Sequence, residues 1–439
     1  MCGGVLDRYC RKYYSHARYL FLSGGKVMNL RNRSRQRAKG TLLRVGLASA
    51  MAIGSLIAVG VTTGGTSGAA AKKAPFIVGA DEDLSGALAA FGGYIKDGFS
   101  SSFNAVNKTG GIDGHKIELK LLDDQFTLST SISNMKELLA EKPVFVTGST
   151  LTTFCGGNAP YAKSKKVPMS CFAALASQVS PVESYLFDRN PPEITTAQPL
   201  INFIPTVVTA TPKIGILVAD IPGPDAFATQ VQTLAKAKGW SVTSSVTSPG
   251  DGTPPTAAQV AALVATGPNV ITMELASSEN AAFVEDARTD GFTGPIISQD
   301  ADYDGLVSLA DPNYYVMSAN RFVSSTGTAS AVKTYVKEMS SVGVTGDANL
   351  NSGQLAQAWI AGQDLVAALK ACAKTNKGNC TSAQLDVALD TTKVVLPGIV
   401  NSAGYTKTDH VLFNAQYIYG YRASGGVTLI EGPLAMGKA

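Results

Sequence analysis

Beyond residue 71 the chain keeps four cysteines, Cys155, Cys171, Cys372 and Cys380. An even number in an exported chain is what a set of disulfides requires, because an oxidising compartment pairs thiols that the cytosol would keep reduced. Pairing by proximity gives Cys155–Cys171 and Cys372–Cys380. The second pair lies in ALKACAKTNKGNCTSAQL, where Lys-Gly-Asn marks a turn between two helical patterns. A bridge there would staple a helix–loop–helix corner and contribute ~2–3 kcal/mol. The alternative is free thiols. A zinc site would need Cys-x2-Cys spacing or histidine partners, and the sequence has neither.

Other reactive groups are sparse. His115 and His410 are the histidines left beyond the first 71 residues, and His115 falls in an Asp-Gly bend where exposure is expected. No G-x-S-x-G, no Walker loop and no metal-spaced histidine pair occurs. A secreted enzyme is therefore the poorest of the functional readings. Asp300, Asp302 and Asp304 alternate, Gly305 follows, and Asp311 stands at the twelfth position. This fits the calcium-loop template with Asp in place of Glu. A strand pattern precedes the loop where the template has a helix. A solvated or ligand-facing loop is the competing reading.

Such residues need elements to position them, and 439 residues are too many for one ordinary core. The net charge of +4 misleads, because residues 1–71 carry 11 Lys and Arg against the single acid Asp7. The remainder has 26 basic and 32 acidic side chains. A mildly acidic body repels phosphate backbones, so nucleic acid is not an expected partner. A cationic stretch over 31–44, an apolar run from Val45 to Val61 and small residues up to Ala71 have the order of a secretory signal peptide. Cleavage is expected after Ala71, and Met28 is an alternative start. A membrane anchor is the competing reading, but the run is short for a span and holds Gly46, Gly54 and Gly60.

From Phe76 onward, short apolar strands alternate with helical patterns. FIVGA leads into a polar glycine loop. Phe91, Ile95, Phe99, Phe103 and Val106 mark a helix over 87–108, and an alternating strand ends in Asp123-Asp124. A helix over 128–140, the strand PVFVTG, a helix over 157–165 and the strand VPMSCFAA follow. NPPEITTAQP over 190–199 reads as loop. The pattern then restarts with KIGILVAD and repeats the same grammar through GPIISQD, before helices over 353–371 and 381–390 and a strand-like tail over 395–430. This alternation predicts an α/β fold with mainly parallel sheets covered on both faces.

The stretch from Leu84 to Gln125 carries Leu84-Ser85-Gly86, Phe91-Gly92, Asn107 to Ile112, Gly114 and Asp123-Asp124 in order. It resembles the opening of type I periplasmic binding proteins of the Leu/Ile/Val-binding family. The likeness runs on through PVFVTGST, ARTDGFTGPIIS and YIYGYR. The resemblance implies two Rossmann-like lobes joined by a three-strand hinge and closing on a ligand between them. The first lobe is expected over 75–193 plus 322–394, the second over 194–321 plus 395–439. The implied function is an extracytoplasmic, secreted substrate-binding protein of an ABC uptake transporter. It would act as a monomer without a cofactor, with membrane permease and ATPase subunits as partners. A ligand-sensing receptor module on the same fold is the alternative.

The resemblance also places the site. Thr152, with Ser149 and Thr150 near it, matches the hydroxyl that holds a ligand carboxylate; capping the next helix is a compatible role. Ala173, Ala174 and Leu175 match a loop that supplies backbone groups and a threonine hydroxyl, here replaced by Leu175. Gly223 and Leu275 stand where the family carries aromatics, and Asp300 falls near the acid that pairs a ligand ammonium. Phe91 matches an aromatic at the cleft lip, or else packs in the core. With the carboxylate side kept and the ammonium side eroded, the expected ligand is a small organic acid or amino-acid-like molecule with room for an apolar body. A simple branched-chain amino acid is not expected.

Overall fold

The computed structural model of the chain describes residues 73–148, 151–249, 252–299 and 301–438. The leader expected over 1–71, and the candidates Ser149, Thr150 and Asp300, lie outside the described residues.

The first half alternates strand and helix: β1 (Phe76–Glu82), α1 (Ala89–Lys108), β2 (Ile117–Asp123), α2 (Leu128–Ala140), β3 (Phe145–Gly148), α3 (Thr152–Lys165), β4 (Met169–Cys171), α4 (Ala176–Val179) and β5 (Leu186–Asp188). These strands form a parallel sheet in the order β2-β1-β3-β4-β5. The second unit comprises α5 (Glu193–Val207), β6 (Lys213–Ala219), α6 (Pro222–Ala237), β7 (Ser241–Ser248), α7 (Ala257–Ala265), β8 (Val270–Glu274), α8 (Ser277–Thr289), β9 (Ile296–Ser298), α9 (Tyr303–Leu309) and β10 (Tyr314–Ser318). Its strands repeat the topology as β7-β6-β8-β9-β10, extended by the antiparallel pair β13 (Ala415–Arg422) and β14 (Gly426–Ala435). Strands buried on both faces need continuous apolar runs, and ILVA in β6 and VITM in β8 supply them. The chain is thus α/β with two Rossmann-like lobes.

Between the two sheets the chain crosses at Arg189–Pro192, at Ala319–Val323 and just before Ala415. Near the first and third crossings a parallel bridge joins Asp188 to Val411, with Leu412 N–H donating to Asp188 O at 2.9 Å. Between the last two crossings lie α10 (Ser330–Ser340), α11 (Asp347–Asn351), α12 (Leu355–Thr375), α13 (Ser382–Leu389) and the ribbon β11 (Val394–Leu396) with β12 (Val400–Ala403). Helix α12 lies along α1 at close range. Gly98 faces Ala358 and Gly362 faces Ser102, and a Cβ on either glycine would approach its neighbour to within 2.8 Å. Trp359 is fully buried at this contact, edge-on to Tyr335 at 5.0 Å.

Two expectations change. Residues 395–413, assigned from sequence to the second lobe, pack into the core of the first, where Val400, Tyr405, Leu412 and Phe413 are buried. The segment 190–199 is loop only as far as Pro192. Helix α5 starts at Glu193 and accommodates Pro199 and Pro205. The proline density suggested a loop, but the buried face formed by Leu200, Ile201, Phe203 and Ile204 outweighs it. Cys155–Cys171 and Cys372–Cys380 are both bonded, with Cα separations of 5.7 and 5.5 Å. The first bridge ties the opening turn of α3 to the end of β4. Among the described residues no helix is long and apolar enough to cross a membrane.

Candidate functional site

In open parallel sheets of this order, ligands collect beyond the carboxyl ends of the strands, where the strand order reverses. In the first lobe that edge runs from Glu82 across Gly148 and Cys171 to Asp188. A cleft opens beyond it, with about 920 Å³ of empty space that includes open solvent at the mouth. Leu88, Phe91, Thr152, Phe172 and Ala173 line it from the first lobe. Ile221, Glu274, Leu275 and Ala301 line it from the second, and Asn190, Glu193 and Ala319 from the crossings.

Thr152 is the first residue of α3. Leu151 holds the cap position in an extended conformation, and no side chain caps this helix. Thr152 is 3 % exposed, and its hydroxyl makes no hydrogen bond among the described residues. The capping role is therefore not used, and Thr152 lines the cleft at the positive end of a helix dipole. Phe91 meets Phe172 edge-on at 5.8 Å, and Phe172 in turn covers the Arg189 guanidinium at 5.0 Å. The cation itself stands one layer behind the cleft wall. It is buried and contacts Glu82 Oε1 at 3.4 Å.

The remaining candidates divide. Ala173 and Leu275 line the cleft, whereas Ala174, Leu175 and Gly223 do not. Ala174 is fully buried, its N–H donating to Asp188 Oδ2 at 3.1 Å. Leu175 opens the short helix α4, with its N–H on Gln178 Oε1 at 2.6 Å. Gly223 is buried at the start of α6, and the space a side chain would take there holds the carboxyl of Glu193. The loss of an aromatic at 223 thus leaves no apolar void. The described carboxylates of the calcium-like loop are spent elsewhere. Asp302 caps α9 through Gly305 N–H at 2.8 Å and accepts from Tyr314, Asp304 accepts from Ser352, and Asp311 pairs with Arg288 at 2.6 Å. Among the described residues no group of His, Cys, Asp and Glu is arranged to hold a metal. His410 has both ring nitrogens engaged, on Leu186 O at 2.7 Å and Asp390 at 2.9 Å, and stacks on Phe187.

The sequence reading missed the polar side chains of the cleft wall: Asn190, Glu193, Glu274, Gln299, Gln357 and Gln416. Glu193 lay in a segment read as loop, and the glutamines come from elements with no motif. Among the described lining residues there is no Lys, Arg or His. Burial pushes the Glu193 carboxyl up to about 7. Behind the first-lobe edge, burial raises Asp81 to about 6, against hydrogen bonds from Ser131 and Asn134. Burial, then the charge of Asp81, raises Asp124 to about 7.

The profile of the family described as "Periplasmic binding protein" matches residues 75–426. A Leu/Ile/Val-binding protein homolog from Brucella melitensis is 33% identical over 84 residues, which is 19% of this chain and 23% of that protein. A solute binding protein from R. palustris, solved with 4-hydroxybenzoate, superposes with a TM-score of 0.68 at 17% identity, covering 83% of this chain and 97% of its own. A branched-chain amino acid transporter substrate binding protein from Streptococcus pneumoniae, solved with isoleucine, gives a TM-score of 0.67 at 18% identity, covering 82% of this chain and 100% of its own. A fatty acid ABC transporter substrate-binding protein from Thermomonospora curvata gives 0.68 at 17%, covering 83% and 92%.

Proposed function

We infer the function from one premise, that this chain belongs to the periplasmic binding protein family. It is a substrate-binding protein of an ABC transporter. The observation that carries this is the match over 75–426, which takes in both sheets up to the last strand and every residue lining the cleft. In this reading the chain binds its solute and does not transform it.

In our reading the chain works outside the cytoplasm as a monomer and delivers its solute to permease and ATPase subunits. The solute carries a carboxylate and is an organic acid or amino-acid-like molecule. Thr152 donates its hydroxyl to that carboxylate, with Ser149 and Thr150 beside it, and the start of α3 favours the negative charge. What supports this is a buried hydroxyl with no partner among the described residues. Leu88, Phe91 and Leu275 pack on the apolar part of the solute.

Titration calorimetry with 4-hydroxybenzoate, hexanoate, leucine, isoleucine, valine and lysine tests this. At least one of 4-hydroxybenzoate, hexanoate and lysine is expected to bind with a Kd of about 1–100 μM, the three branched-chain amino acids are not, and Thr152→Val is expected to weaken the binding about tenfold or more. No binding by any of the six, or an unchanged affinity in Thr152→Val, contradicts the carboxylate reading.

A further inference from the structure

Glu193 opens α5 where the first crossing enters the second lobe, and it lines the cleft. An ideal Cβ on Gly223 would stand 2.6 Å from Glu193 Oε1 and 2.8 Å from Oε2. A side chain at 223 and the carboxyl of Glu193 therefore compete for one space, and in this chain the carboxyl has it. Where the family resemblance puts an aromatic, the chain thus presents an acid.

That acid is poorly compensated. It makes no ion pair among the described residues. The hydrogen-bond donor beside it is its own backbone N–H. Its charge also acts on the fully buried Asp188, whose carboxyl is pushed well up, first by burial and then by Glu193. Glu193 is half-buried, and a partly desolvated carboxylate of this kind is favoured by a donor or a cation. The described cleft wall offers no cation, and apart from the Thr152 hydroxyl two of its unsatisfied atoms, on Gln416 and Asn190, are acceptors. Gln416 is 3 % exposed and lines the same cleft, and its Oε1 makes no hydrogen bond among the described residues. Asn190 Oδ1 is likewise buried and unsatisfied. Gln299, also on the wall, donates to Thr196 on the first turn of α5 at 3.2 Å. Glu193 and these acceptors are thus positions on the cleft wall that a donating solute can meet.

We propose that Glu193 is a specificity-determining residue, pairing with a cationic nitrogen on the part of the solute remote from its carboxylate. The proposal rests on the carboxylate-binding reading above and deepens it to a class: carboxylates with a distal amino or comparable cationic group. Gly223 belongs to the same device, because its missing side chain makes the room.

Calorimetry with matched pairs tests it: lysine against norleucine, and the straight-chain ω-amino acids from 4-aminobutanoate to 6-aminohexanoate against butanoate to hexanoate. The aminated member of at least one pair is expected to bind about ten- to hundredfold more tightly. Glu193→Gln is expected to remove that preference while leaving the affinity of the methyl-ended partner within about threefold. Gly223→Ala, which crowds the carboxyl, is the second variant and is expected to act in the same direction. A Glu193 that served only the fold would weaken both members of a pair alike, and that result overturns the inference. So does a preference that survives Glu193→Gln, or one that Glu274→Gln removes instead. If both members of every pair bind equally, this inference falls and the carboxylate reading stands. If no member of any pair binds, this inference falls, and the carboxylate reading falls with it only where 4-hydroxybenzoate fails as well.

Discussion

Replacing Gly148 with alanine is expected to cost about 3 kcal/mol of stability and to weaken solute binding about tenfold or more. Gly148 ends β3 at the cleft edge, paired with Asp81 in β1 and Cys171 in β4. Its φ of +125° is a conformation that L side chains rarely adopt. A Cβ there would overlap the carbonyl oxygen of Asp81 and stand 2.8 Å from that residue's N and C atoms. These are backbone atoms in the centre of a parallel sheet, so they cannot swing aside as a side chain would. The relief must come from parting β3 and β1, and that moves the chain running on to Leu151 and Thr152. Phe172 N–H, which accompanies the next cleft loop, donates to Gly148 O at 2.9 Å and would move with it. Gly110→Ala is the control. Gly110 has φ +111° but no atom within 4 Å of its ideal Cβ. It is expected to lose only about 1 kcal/mol, with affinity unchanged. Denaturant unfolding and calorimetry on both variants decide the matter; Gly148→Ala as stable as Gly110→Ala would show that the crowding at Asp81 is not what demands glycine.

Stability is expected to rise by about 2–4 kcal/mol as pH falls from 8 to 5. Among the groups responsible are Asp81, held at about 6, and Asp124 and Glu193, at about 7, beside Glu82, raised to about 8. Burial is the first cause in each. An acid whose folded pKa lies above its unfolded value binds its proton more tightly in the native state. Its contribution is therefore complete below about pH 4 and is lost as pH rises through about 6 to 8. Asp123 has the opposite sense, lowered by hydrogen bonds from Ser85, Leu84 and Gln125, so its stabilisation fades only in stronger acid, outside this window. Thermal unfolding at low and high salt measures the slope. A Tm that falls steadily from pH 8 to 5 contradicts these assignments. Asp124→Asn should flatten the slope, because the amide carries no charge to desolvate.

The sequence made much of this architecture readable because its strands are buried on both faces and its turns use residues with one physical purpose. Gly110-Gly111 stops α1, and both residues have positive φ. Asp113-Gly114 makes the bend that starts β2. Proximity alone paired the cysteines. What stayed illegible has physical causes. Helix α5 was hidden by Pro199 and Pro205, which local propensity counts against a helix and tertiary burial overrides. The segment 395–413 looked like the second lobe because its strand pattern is continuous with β13 in sequence, and only packing separates them. Glu193 was hidden with its helix. Gln416 sits on a strand where nothing distinguishes a cleft-facing amide from a surface one. The position of Gly223 was noticed, but its meaning depends on Glu193, a partner thirty residues away that no local pattern announces.

The most direct test of the account is small-angle scattering of the protein alone and saturated with the solute that calorimetry selects, followed by recovery of that solute. Two lobes joined by three crossings, with an open cleft between them, should draw together on a bound solute. The predicted result is a smaller radius of gyration at saturation, with the solute recovered chemically unchanged. An unchanged radius at saturation, or a solute recovered in altered form, would contradict the claim that the protein captures its ligand between the lobes and hands it on intact.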